Sequence, residues 1–201
     1  MDFLFAPTPV VSLPVRGSDK RFPVHRVYCV GRNYVEHAKE MGFTGREPPF
    51  FFLKPTDALV VVDDGQTGTM PYPHVYGYAV GLDMTRRDLQ NDMKKQGRPW
   101  CIGKAFDHSG PIGPITPLAQ VSDIEHAAIS LTVNGQPRQA SGIDKLIWNI
   151  AETIEHLSSA WTLQPGDLIF TGTPEGVAAV VSGDTLVGQI DGLGELKVRI
   201  D

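Results

Sequence analysis

Between Tyr78 and Lys104 the chain gathers a carboxylate, a guanidinium, an amide and an ammonium within one short stretch. Asp83 ends an apolar run of small residues, Tyr78 to Leu82, that reads as a buried strand. The chemistry then turns helical: Thr85 with Asp88 three residues on makes a capping pattern, and Gly97 followed by Pro99 closes the segment. Asp83 at a strand end, Arg87 and Gln90 on the first helical turns, and Lys104 on the next strand can converge on one pocket. Such a pocket suits an anionic, oxygen-rich molecule.

A second group lies upstream. Asn33 reads as an N-cap with Glu36 at the third helical position, and Gly42 is a natural stop, which predicts a helix over 34–41. Tyr34, Ala38 and Met41 form its apolar stripe, and His37 and Glu40 stand side by side at the border. Spacing leaves two readings open: a base with its orienting carboxylate, or a packed histidine beside a solvated acid. Gly172 and Thr173 follow a buried strand through Phe170, in a loop that either offers N–H groups and a hydroxyl to a carboxylate or is an ordinary turn. Asp63 and Asp64 precede Gly65 and read as a solvated turn rather than metal ligands. Cys29 and Cys101 read as buried thiols of a reducing compartment, and without a CxxC no zinc site is expected.

These side chains need a scaffold. The 201 residues suffice for one well-filled core, and 21 Gly with 16 Pro point to many turns between short strands. Residues 1–24, punctuated by Pro7, Pro9, Pro14 and Pro23, read as an extended arm, and residues 25–201 as the domain proper. Strands are expected at 26–30, 50–53, 59–62 and through Phe170, with a turn at Lys54-Pro55. Asn134-Gly135 is a type I′ hairpin signal, and the tail alternates as two closing strands about the turn at 191–194. A helix is predicted from about Ile143 to Ser159 on its apolar periodicity, with His156 on the polar side. The sum is a strand-dominated α+β domain with a few peripheral helices. A net charge of -5 with scattered basic residues excludes a nucleic-acid backbone partner, and the apolar N-terminus, carrying Asp2 and lacking a basic region, predicts a soluble cytoplasmic protein with no membrane partner.

Taken together, VYCVGRNYVEHAKEMG, PPFFFLKPTDAL, YGYAVGLDMTRRDLQ with GRPWCIGKAFD, and QPGDLIFTGTPEGV resemble the fumarylacetoacetate hydrolase family, in particular its small acylpyruvate hydrolase branch. The resemblance covers most of the chain from residue 26 onward, in the family's order. It implies a twisted, rolled mixed β-fold, a homodimer, and a divalent cation, Mg2+ or Mn2+ or Ca2+, with Asp83 as one ligand. It also implies Lys104 as the active-site lysine, Arg87 and Gln90 lining the substrate pocket, His37 with Glu40 activating water from a lid, and Thr173 beside Gly172 contacting the substrate carboxylate. The implied activity is metal-dependent hydrolysis of the carbon–carbon bond of an acylpyruvate, fumarylpyruvate to fumarate and pyruvate in aromatic breakdown. Oxaloacetate decarboxylation and isomerisation or hydration of an unsaturated oxo acid are the alternatives on the same site. A metal-deficient binding homologue is the alternative from another class.

One departure matters. The resemblance implies two metal-binding glutamates, two apart, between the MPYP-like segment and VYGYAVGLD. Here Pro73 is followed directly by His74 and Val75, and no Glu-x-Glu lies nearby. Either that strand is lost, or a segment on the order of two dozen residues belongs between Pro73 and His74. Loss of a strand from a rolled sheet exposes edges and apolar surface, which favours the second reading.

Overall fold

The computed structural model describes residues 6–40, 42, 46–61 and 75–201. The expected turn at Asp63 to Gly65, the junction of Pro73 with His74, and Met41 lie outside the described residues. In chain order the strands are β1 (Ser12–Val15), β2 (Ser18–Pro23), β3 (Val27–Gly31), β4 (Phe50–Lys54), β5 (Leu59–Val61), β6 (Gly77–Tyr78), β7 (Gly110–Ile112), β8 (Thr116–Pro117), β9 (Ala128–Val133), β10 (Gln136–Gly142), β11 (Leu168–Phe170), β12 (Thr185–Ile190) and β13 (Gly194–Arg199). The helices are α1 (Val35–Glu40), α2 (Arg87–Lys95), α3 (Cys101–Lys104) and α4 (Ile150–Ala160). Strands thus dominate an α+β fold, as the composition implies.

The sheets are mixed. β10, β9, β12 and β13 form an antiparallel sheet in that order, whereas β3 pairs in parallel with β11 on one side and antiparallel with β4 on the other. The β9–β10 hairpin turns at Asn134 and Gly135, whose φ angles of 52° and 76° are those a type I′ turn requires. Asn134 also exchanges hydrogen bonds with Asp184 and the Thr185 N–H, tying that turn to the start of β12. One core cluster joins Leu13 of β1 and Val24 to Val27, Cys29, Leu59, Ile112 and Ile115, so the β1–β2 hairpin packs directly on the central strands. A second cluster, Val80 with Leu193 and Leu196, lies under the closing hairpin.

Several local expectations give way to tertiary contacts. Lys104 lies on the short helix α3 rather than on a strand. The segment before Asp83 is extended, but regular pairing is limited to β6 and a bridge between Gly81 and Ile112. Thr85 does not cap α2, whose N-cap is Arg86 without a side-chain bond; its hydroxyl instead accepts from Lys104. Asn33, fully buried, does not cap α1 either: its amide donates to the carbonyls of Trp148 and Thr171 and its oxygen accepts from the Trp148 N–H. Those bonds also explain the late start of α4. Leu146 bridges Tyr34 and Ile147 donates to the Asn33 carbonyl, so Ile143–Lys145 makes only a single 3-10 turn that runs into an extended connection, and α-helix begins only after the capping box of Asn149 and Glu152. Lys54 closes β4 rather than opening a turn. Cys29 is buried, its thiol pKa pushed up mainly by desolvation, whereas Cys101 is exposed.

Candidate active site

The elements just described enclose a cavity of about 850 Å³. Its lining includes His37, Asp83, Arg87, Gln90, Lys104, Gly172 and Thr173, so the structure brings together side chains that the sequence disperses over 137 positions. Glu40 is not on the lining; it stands behind His37. Ile129, Leu131 and Leu186 supply an apolar wall from β9 and β12.

On one side Asp83 is held by two lysines. Lys104 Nζ donates to Asp83 Oδ2 at 2.6 Å and to Thr85 Oγ1 at 2.7 Å. Lys54, whose side chain is 0% exposed, places Nζ 3.1 Å from Asp83 Oδ1 and donates to Ser109 Oγ at 2.9 Å and to the Lys104 carbonyl. Burial lowers the Lys104 pKa, and the charge of Asp83 opposes that shift. Close approach of α3 to α2 depends on Gly103: a Cβ there would lie 2.9 Å from the Gln90 nitrogen. Gln90, buried, accepts from Arg87 at 2.7 Å and so fixes the guanidinium on its exposed turn.

On the other side His37, 7% exposed, has Nδ1 3.3 Å from Glu40 Oε2. With Nδ1–H donating to the Glu40 carboxylate, Nε2 keeps a free lone pair. Desolvation pulls the His37 pKa below the ordinary imidazole value; Glu40 opposes this, while Arg87 and Lys104 add to it. The imidazole is therefore neutral at neutral pH, the state a base requires.

Asp83 Oδ1 is buried and accepts no hydrogen bond; its approach to Lys54 is an ion pair with poor bond geometry. A hard oxygen of that kind fits a divalent cation as one ligand. Among the described residues no group of three His, Cys, Asp or Glu surrounds it. The sequence also carries no glutamate between Glu47 and Glu125.

Sequence reasoning missed two residues. Lys54 shares the alternation of Phe50 and Phe52, which line the cavity, so a lysine in phase with cavity-facing phenylalanines was the available signal. Gln139, which reaches the Thr173 loop, stands two residues after Pro137, and a proline inside a paired strand marks a bulge.

Comparison with known proteins bears on the same site. A fumarylpyruvate hydrolase from Pseudomonas aeruginosa, solved in complex with Mn2+ and pyruvate, superposes with a TM-score of 0.92 at 55% identity, covering 99% of each chain. A fumarylpyruvate hydrolase from a Ralstonia species is 52% identical over 126 residues, 63% of this chain and 65% of that protein. The oxaloacetate tautomerase YcgM of Escherichia coli K12 is 37% identical over 198 residues, covering 85% of this chain and 90% of that protein. That alignment is longer than the share of this chain it covers, so YcgM carries residues with no counterpart here. Residues 69–201 match the model of the fumarylacetoacetate (FAA) hydrolase C-terminal domain. With two thirds of its length inside that match, the chain belongs to the fumarylacetoacetate hydrolase family, enzymes acting on carbon–carbon bonds.

Proposed function

We propose that the chain hydrolyses the carbon–carbon bond of an acylpyruvate, with fumarylpyruvate as the best candidate, giving fumarate and pyruvate. The observation that carries this reading is the shared cavity: a neutral, carboxylate-backed His37 and the cationic Lys104 and Arg87 line one cavity together with the apolar wall of β9 and β12. Likeness to the two fumarylpyruvate hydrolases supports it.

In this reading the Arg87 guanidinium and the Thr173 hydroxyl seat the carboxylate of the dioxo acid. His37 Nε2 takes a proton from water, and the hydroxide adds to the distal carbonyl carbon. Glu40 keeps the ring in the required tautomer and stabilises the imidazolium. Collapse of the adduct breaks the bond to the methylene carbon and passes the electron pair into the enolate of pyruvate. Lys104, in place against Asp83, stabilises the enolate oxygen, and proton return from His37 completes pyruvate. A divalent cation held with Asp83, of the kind bound in the Pseudomonas structure, would supply Lewis-acid polarisation of the substrate oxygens. The same proposal includes a cytoplasmic homodimer; among the described residues no helix is long and apolar enough to cross a membrane.

A second reading, enolisation of the shorter acid oxaloacetate, rests on the likeness to YcgM. Purified protein with Mn2+ is given fumarylpyruvate or oxaloacetate, and pyruvate, carbon dioxide and enol absorbance are followed. Pyruvate released from fumarylpyruvate in step with fumarate is the expected result. Enol loss from oxaloacetate, with no cleavage of fumarylpyruvate, would replace the first reading by the second.

A further inference from the structure

The loop that carries Thr173 is not held by its own strand. Pairing of β10 with β9 shifts register between Pro137 and Gln139, a bulge that inserts Arg138 as an extra residue and re-aims the side chain that follows. Gln139 Nε2 then meets three oxygens of the loop: Thr173 Oγ1 at 3.0 Å, the Pro174 carbonyl at 2.7 Å and the Glu175 carbonyl at 3.2 Å. The loop packs against the bulge so closely that a Cβ on Gly176, at φ 89°, would lie 2.1 Å from the Arg138 carbonyl.

Two consequences reach the reacting groups. An amide nitrogen only donates, so Thr173 Oγ1 is an acceptor toward Gln139 and its own proton must be donated elsewhere, with the cavity open to it. At the far end of the loop, the Gly176 N–H donates to Glu40 Oε1 at 3.3 Å, leaving Oε2 for His37. The base of α1 is tied to the same loop, since Asn33 donates to the Thr171 carbonyl and packs against Gly172.

We infer that Gln139 is a positioning residue that couples the carboxylate seat at Thr173 to the His37–Glu40 pair through the loop 171–176. Gln139 lies on the cavity lining, but its amide nitrogen is turned to the loop; through it the residue sets the direction of one hydroxyl proton and the anchorage of one carboxylate. This rests on the roles proposed above for Thr173 and His37, and not on which oxo acid is the substrate. His37 is faced by Glu40 from its own helix, by Arg87 from α2 and by Lys104 from α3, and of these only Glu40 raises its pKa. Loosening Glu40 therefore moves the acidic limb of activity to lower pH.

The test uses Gln139→Met, which keeps size and removes the amide, and Gln139→Glu, which keeps length and replaces the donor by an acceptor, in the event that the first does not fold. Pyruvate affinity is measured by calorimetry, and kcat, KM and the pH profile with fumarylpyruvate. Loss of one bond to a charged group predicts a rise of roughly tenfold in pyruvate Kd and in KM. The acidic limb of kcat/KM shifts downward, and adding Thr173→Val to the variant weakens pyruvate no further than Thr173→Val alone. A folded variant with Kd and acidic limb unchanged, or strictly additive losses with Thr173→Val, overturns the inference. If the wild type fails to cleave fumarylpyruvate, the acylpyruvate reading falls, while the pyruvate affinities still decide the role of Gln139.

Discussion

The two sides of the cavity are built on different principles. The Asp83 side is a buried lattice of charge: Lys54 and Lys104 grip one carboxylate from two elements, and Ser109, Thr85 and the Lys104 carbonyl take up their remaining protons. The His37 side is a six-residue helix whose functional contacts are two 3.3 Å bonds to Glu40, a residue with a 45% exposed side chain. A short isolated helix is not stable by itself, so α1 depends on its ties to Asn33 and the Thr173 loop. The contrast separates holding from acting. The two lysines of the Asp83 side are desolvated and each is held by several partners, whereas the group proposed to gain and lose a proton, His37, keeps a free lone pair and loose partners.

Breaking the acting side costs most in rate. His37→Ala should lower kcat by about 10²- to 10⁴-fold, the range for a lost general base, while pyruvate and Mn2+ affinities measured by calorimetry stay nearly unchanged. Asp83→Ala should do the reverse for the metal and weaken Mn2+; equal metal loss in both variants would show that the two sides are not separable.

Breaking the holding side costs most in stability. Lys54→Met leaves Asp83 and the Ser109 hydroxyl without their buried partner, and loss of one member of a buried pair costs about 3–5 kcal/mol. For a chain of this size that lowers Tm by roughly 6–20 °C in a thermal melt. A shift below a few degrees would mean that Lys104 alone suffices.

The orienting contact is smaller. Glu40→Gln should reduce kcat roughly tenfold, the low end for an outer partner of a functional histidine. With His37 as the proposed base, the wild-type kcat/KM should rise with pH through a midpoint below the ordinary imidazole value, because burial favours the neutral ring that this role requires. Removing the Glu40 charge, which opposes that shift, moves the midpoint lower still; an upward shift in the pH–rate profile would reverse the assignment. Smallest of all is the neighbouring exposed pair of Glu36 and Lys39 on the same helix, 2.6 Å apart at 58% and 60% exposure. Glu36→Gln should change stability by less than about 0.5 kcal/mol in urea unfolding.

Much of the site was legible because its residues sit in segments with strong local character. The apolar run into Asp83, the stop at Gly97 and the loop of Gly172 and Thr173 each show in a few consecutive residues. Three of the misreadings share one cause. Asn33, Thr85 and the residues from Ile143 to Ile147 have local patterns suited to caps and helix, yet their polar groups or apolar faces are spent on distant partners.

By itself the sequence determined the strand-rich composition, the Asn134-Gly135 hairpin, the closing strands and the types of group available for chemistry, since these follow from dihedral preference and alternation along a few residues. Tertiary structure alone decided that Lys54 would be buried beneath Asp83, that Lys104 would project from a helix, and that a bulge would aim Gln139 at the Thr173 loop. Each of those outcomes is a desolvation balance between groups far apart in the chain: a buried charge or amide is tolerated only where partners converge on it, and that convergence exists only once the chain is folded.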